Sequence, residues 1–260
     1  MLDSASEIPC RLCGEAAIFE FSAEILTHHD VAYYQCLSCG LLQTEVPYWL
    51  DEAYASAMAA EDTGVMSRNL QLMKVTSVLL KSLNMQDSAC LDYGGGHGVF
   101  TRLMRDQGFD FHCWDPHAKN IFARGFEGDP DQPYQGVTAF EVLEHLRKPR
   151  LFFDRILGSM QPDILLASTE TFSAPADKDW HYFYFPTGQH IAFYQERTLS
   201  ALAVEYGYTY LGLSNLHLFS RLQAHASVLR FILRFGSRLY PLFRFPSLVM
   251  PDHQRLMNGM

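Results

Sequence analysis

The run Ala89-Cys-Leu-Asp92-Tyr-Gly94-Gly-Gly96-His-Gly98 decides the fold of this chain. It begins as a short apolar stretch typical of a buried strand, and an amphipathic segment follows it at residues 99–104. Glycines let the backbone turn sharply and let a ligand approach without meeting a Cβ atom. The start of a helix leaves backbone N–H groups free to face such a ligand. The run therefore predicts a strand, a ligand-binding turn and a helix.

An acidic residue follows at the position that a nucleotide-like ligand needs. Asp115 ends the next predicted strand, 23 residues after Asp92. A carboxylate there can accept hydrogen bonds from two ribose hydroxyls. Gly94, Gly96 and Gly98 are spaced by two, whereas the loop of nicotinamide-binding folds is G-x-G-x-x-G. The alternative, a flexible glycine turn without a ligand, is disfavoured by the strand, the helix and Asp115.

Strands and helices alternate beyond this loop. The pattern predicts strands at 89–93, 109–114, 136–140, 163–168 and 208–213, and helices near 51–60, 66–83, 149–160 and 198–206. A segment with several turn signals, 117–135, interrupts the alternation. Alternation of this kind predicts an α/β protein with a largely parallel sheet covered on both faces.

Four of the six cysteines are paired as in metal sites. Cys10 and Cys13 form one C-x₂-C pair, 22 residues separate it from the pair Cys36 and Cys39, and a glycine follows each pair. Four thiolates close a tetrahedron around zinc and leave no open position, so we predict a structural zinc in a small N-terminal ribbon. The other two cysteines lie in predicted core strands and are interpreted as packing residues.

The composition narrows the classes of function. The chain has 260 residues, 48% hydrophobic and 19% charged, which is typical of a globular protein. Its formal net charge of −9 argues against a nucleic-acid partner held by bulk charge. The N-terminus lacks the pattern of a secretory signal, and no apolar run is long enough to span a bilayer. We therefore expect a cytoplasmic protein.

Two further phrases carry a resemblance to a known family. They are Ala139-Phe-Glu-Val-Leu-Glu-His-Leu-Arg-Lys-Pro149 and Gly188-Gln-His-Ile-Ala-Phe-Tyr194. With the glycine loop, they make residues 60–215 similar to class I S-adenosylmethionine-dependent methyltransferases, in particular to ubiquinone-type O-methyltransferases and sugar methyltransferases of polysaccharide and antibiotic pathways. The resemblance implies a Rossmann-like, doubly wound, mostly parallel sheet of seven strands.

The resemblance also implies which residues hold the cofactor. Gly94 and Gly96 would lie along its methionine part, Asp115 would bind the ribose, and Phe140 would line the site near the methyl group. The expected S-adenosylmethionine site thus comprises Arg68, Asp92, Gly94, Gly96, Asp115 and Phe140. Arg68 is assigned to the cofactor carboxylate, with a solvated helix arginine as the alternative. Asp129 is the candidate for the adenine contact.

Glu141, Glu144 and His145 stand at helical spacing after the predicted strand 136–140. On one helix face they can bind a second divalent metal, with His190 or His181 as the fourth ligand. Small-RNA 2′-O-methyltransferases use a similar cluster to activate an acceptor hydroxyl. The alternative is that these residues only cap the helix and shape the pocket. The candidate catalytic residues are then His145 or His190 as general base, together with Glu141.

Two regions leave alternatives open. The aromatic loop 170–190 either covers an acceptor or packs against the N-terminal helices. Residues 216–250 hold five arginines and no acidic residue, which predicts an amphipathic tail for packing, a homodimer contact or peripheral membrane contact. The predicted divisions are a zinc ribbon (1–45), a helical linker or lid (46–85), a cofactor-binding core (86–215) and the basic tail (216–260).

These observations predict a methyltransferase that acts on a small polar acceptor, with a sugar or nucleotide sugar favoured. One alternative is a metal-assisted O-methyltransferase of a quinone or phenol. The other is a zinc-bearing scaffold without catalysis, which the intact glycine loop and Asp115 disfavour. The expected cofactors are S-adenosylmethionine, a structural zinc and, with the Glu-x-x-Glu-His cluster, a second divalent metal.

Overall fold

The computed structural model describes residues 6–54 and 63–259. The chain forms two units, and each contains segments that are distant in sequence. The first unit comprises Met1–Ala59, Glu141–Ser159 and Ala167–His217, and the second comprises Ala60–Phe140, Met160–Leu166 and Leu218–Met260.

A five-stranded antiparallel sheet organises the first unit. Its strands are β1 (Glu7–Pro9), β2 (Ala16–Ile25), β3 (His29–Cys36), β4 (Leu42–Thr44) and β9 (Ala192–Phe193), in the order β1-β2-β3-β4-β9. The last pairing, between β4 and β9, joins Leu42 with Phe193 and Gln43 with Ala192. The strands that flank the four cysteines therefore share a sheet with a strand about 150 residues further along the chain, a pairing that no local pattern predicts.

A six-stranded sheet has the order β10-β11-β8-β7-β5-β6. Its strands are β5 (Ala89–Tyr93), β6 (Asp110–Trp114), β7 (Gly136–Phe140), β8 (Ile164–Ser168), β10 (Thr209–Leu213) and β11 (Leu216–Ser220). Strand β5 is parallel to both β6 and β7. Only two residues join β10 to β11, so these two strands run antiparallel. The predicted α/β class is confirmed, with a mixed sheet.

Within the described residues this sheet has six strands, where the sequence predicted seven. Beyond the edge strand β6 there is a single isolated parallel bridge, between Cys113 and Glu127. The surrounding segment is held in turns: Asn120 Nδ2 donates to the Ala123 carbonyl at 2.7 Å, and the Gly125 N–H donates to Glu127 Oε2 at 2.9 Å. These turns replace the extended backbone that a seventh strand requires.

Seven α-helices connect the strands of the described chain. They are α1 (Leu50–Ala53), α2 (Val65–Ser82), α3 (Val99–Asp106), α4 (Pro149–Phe153), α5 (Glu196–Glu205), α6 (Ala226–Leu239) and α7 (Val249–Asn258). A π-helical turn, Asp154–Met160, continues α4. The predicted helix 51–60 extends partly over 55–60, which lie outside the described residues. None of the described helices is long and apolar enough to cross a membrane.

The C-terminal region differs from the predicted helical tail in its first five residues. Leu216–Ser220 are all buried and form β11, because this run is apolar enough to lie inside a sheet. Helix α6 buries Leu229, Ile232 and Leu233, and Gly236 allows close packing against Val75 of α2. This part of the tail is therefore a packed component of the second unit.

Candidate functional site

The glycine loop lies at the carboxyl end of β5, in the second unit. The N–H groups of Gly94 and Gly95 donate to the Trp114 carbonyl at 2.8 and 3.1 Å. A Cβ atom at Gly95 would lie 2.5 Å from Asp92 Oδ2, so this position must be glycine for packing, a constraint that the sequence analysis missed. A Cβ atom at Gly96 would meet nothing within 4 Å, and its φ of +55° favours glycine. The backbone at Gly96 therefore borders open space.

Asp115 is fixed beside this open space. Its Oδ2 accepts a hydrogen bond from the Gly96 N–H at 2.9 Å, and its Oδ1 accepts from the N–H groups of His117 and Ala118, both at 2.7 Å. Asp115 is half-buried and directly follows strand β6. The geometry leaves it adjacent to the glycine loop, as the sequence spacing predicted, and its ribose contact stays a prediction.

Asp92 is buried and belongs to the framework of the loop. Its Oδ2 accepts a hydrogen bond from Thr101 Oγ1 and its Oδ1 from Thr138 Oγ1, both at 3.0 Å. These bonds tie β5 to α3 and β7. Burial raises the pKa of this carboxyl to about 6, while the two hydroxyl donors oppose the rise. We interpret Asp92 as a residue that positions the loop.

The structure also places the other three predicted cofactor residues. Arg68 lies half-buried in the first turn of α2. Phe140 is the last residue of β7, and its ring packs edge-on against Phe100 with 4.9 Å between centroids. Asp129 is exposed in a turn, where its Oδ1 accepts from the Asp131 N–H at 3.0 Å. Their contacts with a cofactor stay predictions.

In the first unit, the four paired cysteines come together. The Sγ atoms of Cys10, Cys13, Cys36 and Cys39 all lie within 4.8 Å of one another, and all are free thiols. The separations are 3.5 Å for Cys10–Cys39 and 3.6 Å for Cys13–Cys36. Sulfurs bound tetrahedrally at about 2.3 Å from zinc lie about 3.8 Å apart. A hydrogen bond from Cys39 lowers the pKa of Cys10 to about 5, which favours a thiolate.

A second group in the first unit joins Glu144, His145 and His190, whose ligand atoms also lie within 4.8 Å of one another. Glu144 is completely buried, and its Oε1 accepts a hydrogen bond from the Tyr182 hydroxyl at 2.6 Å. Its Oε2 is buried too and has no hydrogen-bond partner among the described residues. Leaving a buried carboxylate oxygen without a hydrogen-bond donor costs free energy, and a bound cation would offset that cost.

The two histidines of this group each place Nδ1 against a backbone carbonyl. Nδ1 of His190 is 2.6 Å from the Tyr182 carbonyl, and Nδ1 of His145 is 3.1 Å from the Gln189 carbonyl. A carbonyl only accepts hydrogen bonds, so Nδ1 of His190 carries the proton and its Nε2 keeps a lone pair, whereas Nδ1 of His145 also lies 3.0 Å from the Tyr54 hydroxyl. Burial lowers the pKa of His190 to about 4, which keeps its ring neutral near pH 7. Metal-binding histidines have this arrangement.

Glu141 lies outside this group, although the sequence analysis placed it there. Its Oε1 accepts a hydrogen bond from Ser168 Oγ at 2.6 Å, and the backbone N–H of Glu141 donates to Ser168 Oγ at 2.9 Å. The chain has a φ of +54° at Glu141 and then makes one 3₁₀ turn, Leu143–His145, so the α-helical spacing that aligned the three residues does not apply. The structure thus gathers three of the four predicted ligands.

The other candidate ligand, His181, is exposed and pairs with Glu170 at 3.2 Å instead of joining the group. Its aromatic neighbours Tyr182 and Phe183 are buried in a cluster with Phe21 and Tyr33. Phe183 contacts Phe21 edge-on at 5.4 Å between centroids. The aromatic loop was expected either to cover an acceptor or to pack against the N-terminal region. Tyr182 and Phe183 pack against residues of the N-terminal strands.

The comparisons with known proteins agree with the fold. A family model described as a methyltransferase domain matches residues 66–213, more than half of the chain. The chain belongs to this family, and it carries a class I S-adenosylmethionine-dependent methyltransferase domain. A search of curated proteins found no match.

Three solved structures are among those similar to this chain. The 1,6-didemethyltoxoflavin-N1-methyltransferase of Burkholderia thailandensis is 14% identical, with 77% of this chain and 97% of that chain covered and a TM-score of 0.49. An O-methyltransferase family protein of the same organism is 18% identical, with 68% of each chain covered and a TM-score of 0.46. The magnesium protoporphyrin IX methyltransferase of Synechocystis PCC 6803 is 11% identical, with 66% and 94% covered and a TM-score of 0.39.

Proposed function

We propose that the protein transfers a methyl group from S-adenosylmethionine to a hydroxyl group of a small polar acceptor, and that a divalent metal at Glu144, His145 and His190 assists. One observation carries the proposal: the ligand atoms of Glu144, His145 and His190 lie within 4.8 Å of one another, beside a buried Glu144 Oε2 that has no hydrogen-bond partner among the described residues. Two imidazoles and a buried carboxylate gathered in this way suit a divalent cation, which would also compensate the unpartnered carboxylate oxygen.

The residues of the glycine loop fit the cofactor. Gly96 borders open space that a Cβ atom would enter, and the Asp115 carboxylate is held 2.9 Å from its N–H. A carboxylate so placed can accept hydrogen bonds from ribose hydroxyls, since each of its oxygens has more than one lone pair. When bound, the cofactor supplies a sulfonium methyl group with its own leaving group. The protein's task is then to hold the acceptor oxygen in line with that methyl.

The residues of the buried group fit a metal of the Mn²⁺, Fe²⁺ or Zn²⁺ class, because two imidazole nitrogens and one carboxylate suit these ions. A bound divalent cation lowers the pKa of a hydroxyl that binds to it. Tyr182 donates to Glu144 Oε1 and accepts from His190 through its carbonyl, so it orients two of the three ligands. Such supporting bonds are typical of metal centres.

The acceptor class rests on the resemblance of residues 188–194 to polysaccharide-linked methyltransferases, which favours a sugar or nucleotide sugar. A phenol or quinone hydroxyl is the second candidate, because the same metal group would serve it equally. Parallel assays with nucleotide sugars and with catechol-type phenols, each with S-adenosylmethionine, separate the two. Methylation of neither class would contradict the proposal of a hydroxyl acceptor.

The metal group is tested with Glu144→Gln and His190→Asn. Each variant should lose Mn²⁺ binding in calorimetry and most methyl transfer, while binding S-adenosylhomocysteine normally. His181→Asn is the matched control, since this nearby histidine is exposed and outside the group. Unchanged Mn²⁺ binding in Glu144→Gln would overturn the metal proposal and leave His145 or His190 as a general base.

We also propose that the four cysteines hold a structural zinc. The support is the clustering of four thiols at separations near those of a tetrahedral site. Elemental analysis of the purified protein should give one zinc per chain, and Cys36→Ser should lose it. Cys90→Ser changes a cysteine outside the cluster and should keep the zinc.

A further inference from the structure

Three other potential ligands meet at the surface of the first unit. His28 and His29 stand at the turn between β2 and β3, and Glu52 belongs to α1. The turn residues Leu26 and Thr27 have φ values of +49° and +64°, which fixes the direction in which the histidines leave the strands. The ligand atoms of the three residues lie within 4.8 Å of one another. The glycine loop and the proposed metal group involve none of them.

The contacts of His28 show which of its ring nitrogens faces Glu52. Its Nδ1 lies against the Leu26 carbonyl, which only accepts hydrogen bonds, so Nδ1 carries a proton and Nε2 is the nitrogen that faces Glu52. That Nε2 is 3.3 Å from Glu52 Oε1, and the Nε2 of His29 is 3.0 Å from Glu52 Oε2. A proton on Nε2, or a metal ion bound between the two groups, can join an imidazole nitrogen to a carboxylate oxygen at these distances.

We propose that His28, His29 and Glu52 bind one divalent transition-metal ion of the Zn²⁺, Ni²⁺ or Cu²⁺ class. Two imidazole nitrogens and one carboxylate are ligands that these ions prefer. Ligands about 2.0–2.2 Å from a metal lie roughly 3.0–3.5 Å from one another, which is the spacing seen here. The exposed edge of the cluster gives the ion access and room for water ligands.

Packing and hydrogen bonds hold His29 and Glu52 in place. The ring of His29 packs against those of Tyr48 and Trp49, at 5.4 and 6.5 Å between centroids. Trp49 is 2% exposed, and its indole N–H donates to the Gly188 carbonyl at 2.7 Å. The Glu52 N–H donates to the Trp49 carbonyl at 3.0 Å, so the carboxylate and the rings share one support. Metal binding therefore requires little rearrangement of His29 and Glu52.

A metal here would also restrain helix α1, and this consequence rests on the proposed function. The helix ends at Ala53, whose carbonyl accepts from Gln189 Nε2 at 2.8 Å. The next residue, Tyr54, has its hydroxyl 3.0 Å from Nδ1 of His145. An ion that joins Glu52 to the β2–β3 turn would thus steady the contacts of α1 with the proposed catalytic group.

The test is calorimetric titration of the zinc-loaded protein with Ni²⁺ near pH 7.5. Wild type should bind one more Ni²⁺ per chain than Glu52→Gln or the double variant His28→Ala/His29→Ala. His225→Ala removes an exposed histidine outside the cluster and should match wild type. Glu144→Gln removes Ni²⁺ binding at the other metal group. The decrease in bound Ni²⁺ per chain that it causes should add to the decrease caused by Glu52→Gln when the two are combined.

Equal Ni²⁺ stoichiometry and affinity in wild type, Glu52→Gln and the double variant would overturn the proposal, and the cluster would then consist only of the contacts of the two histidines with Glu52. Glu52→Gln keeps the size of a half-exposed side chain, so we expect this variant to fold. Circular dichroism checks that it does. Metal also raises the melting temperature of a protein that binds it. A Ni²⁺-dependent rise that is larger in wild type than in Glu52→Gln supports the site independently of methyl transfer.

Discussion

The guanidinium of Arg11 donates a hydrogen bond to the backbone carbonyl of Ile191. Arg11 stands between the first two cysteines, and its own N–H donates to Gln43 Oε1 at 2.7 Å. Ile191 follows His190, and its N–H donates to the Glu144 carbonyl at 2.8 Å. The cysteine cluster and the Glu144–His145–His190 group are therefore joined by one short path of hydrogen bonds within the first unit.

This path predicts that Arg11→Met weakens metal binding at a site whose ligands it leaves intact. Residues that orient metal ligands typically contribute about 10- to 100-fold to affinity, and we expect a loss of Mn²⁺ affinity in that range. Arg11→Lys should be intermediate, because a lysine restores the charge but not the fork of donors. Calorimetry on zinc-loaded protein measures the effect, with exposed Arg124→Met as control. If Arg11→Met binds Mn²⁺ as tightly as wild type does, Arg11 does not help to orient the ligands of the Glu144–His145–His190 group.

Asp115→Ala should weaken S-adenosylhomocysteine binding at least tenfold. The variant removes the carboxylate expected at the ribose, and hydrogen bonds to a charged group contribute about 1.5–3 kcal/mol each. It also frees the N–H of Gly96, so the loop itself loses a support. Asp115→Asn keeps one acceptor oxygen and should lie between the two. Exposed Asp87→Ala serves as control in the same titration, and equal affinities for all four proteins would refute the assignment.

The buried carboxyl of Asp92 predicts a pH-dependent stability. Burial raises its pKa from 3.8 to about 6, so as pH rises the unfolded chain ionises first and the folded protein loses stability relative to it. The loss begins near the unfolded value and is complete above the folded one. It amounts to about 3 kcal/mol at 1.36 kcal/mol per pKa unit. Asp92→Asn lacks this dependence.

Urea unfolding of wild type and Asp92→Asn between pH 3 and 7 measures the difference. The free energy of unfolding of wild type should fall relative to that of the variant as pH rises through this window. A constant difference between the two proteins would show that the carboxyl titrates alike in both states.

The ion pair of Arg105 with Asp252 predicts that α7 contributes to the stability of the second unit. Both residues are buried, and Asp252 accepts from Arg105 Nε at 2.8 Å and from Nη2 at 2.7 Å. Asp252→Ala leaves a buried guanidinium with less compensation, and breaking such a pair costs about 3–5 kcal/mol. The double variant Arg105→Met/Asp252→Met removes both charges and should be less destabilised than the single one. Equal losses would contradict this explanation.

Local patterns predicted the parts of the site that depend on neighbouring residues. The glycine spacing and Asp115 belong to adjacent parallel strands, whose carboxyl ends meet at one edge of a sheet, so their proximity follows from the order of elements. The two C-x₂-C pairs likewise predicted a cluster, because each pair orients its sulfurs through a local turn. These are short-range consequences of sequence.

The rest depended on distant parts of the chain. The sequence offered both His190 and His181 as partners of Glu144, and only the folded backbone between them distinguishes a buried histidine from an exposed one. Helical spacing included Glu141, but a left-handed residue and a 3₁₀ turn removed it. The pairing of β4 with β9 and the strand β11 are long-range contacts, which hydrophobic periodicity does not encode.

The pairing of β4 with β9 has a practical consequence for dissecting the protein. A shortened chain that starts after Thr44, and so lacks β4, would leave the backbone groups of Ala192 and Phe193 without the strand that covers them. An uncovered apolar edge promotes association between molecules. Because both residues are fully buried in the complete chain, such a fragment should aggregate, and the region that matches the family is best produced together with its N-terminal strands.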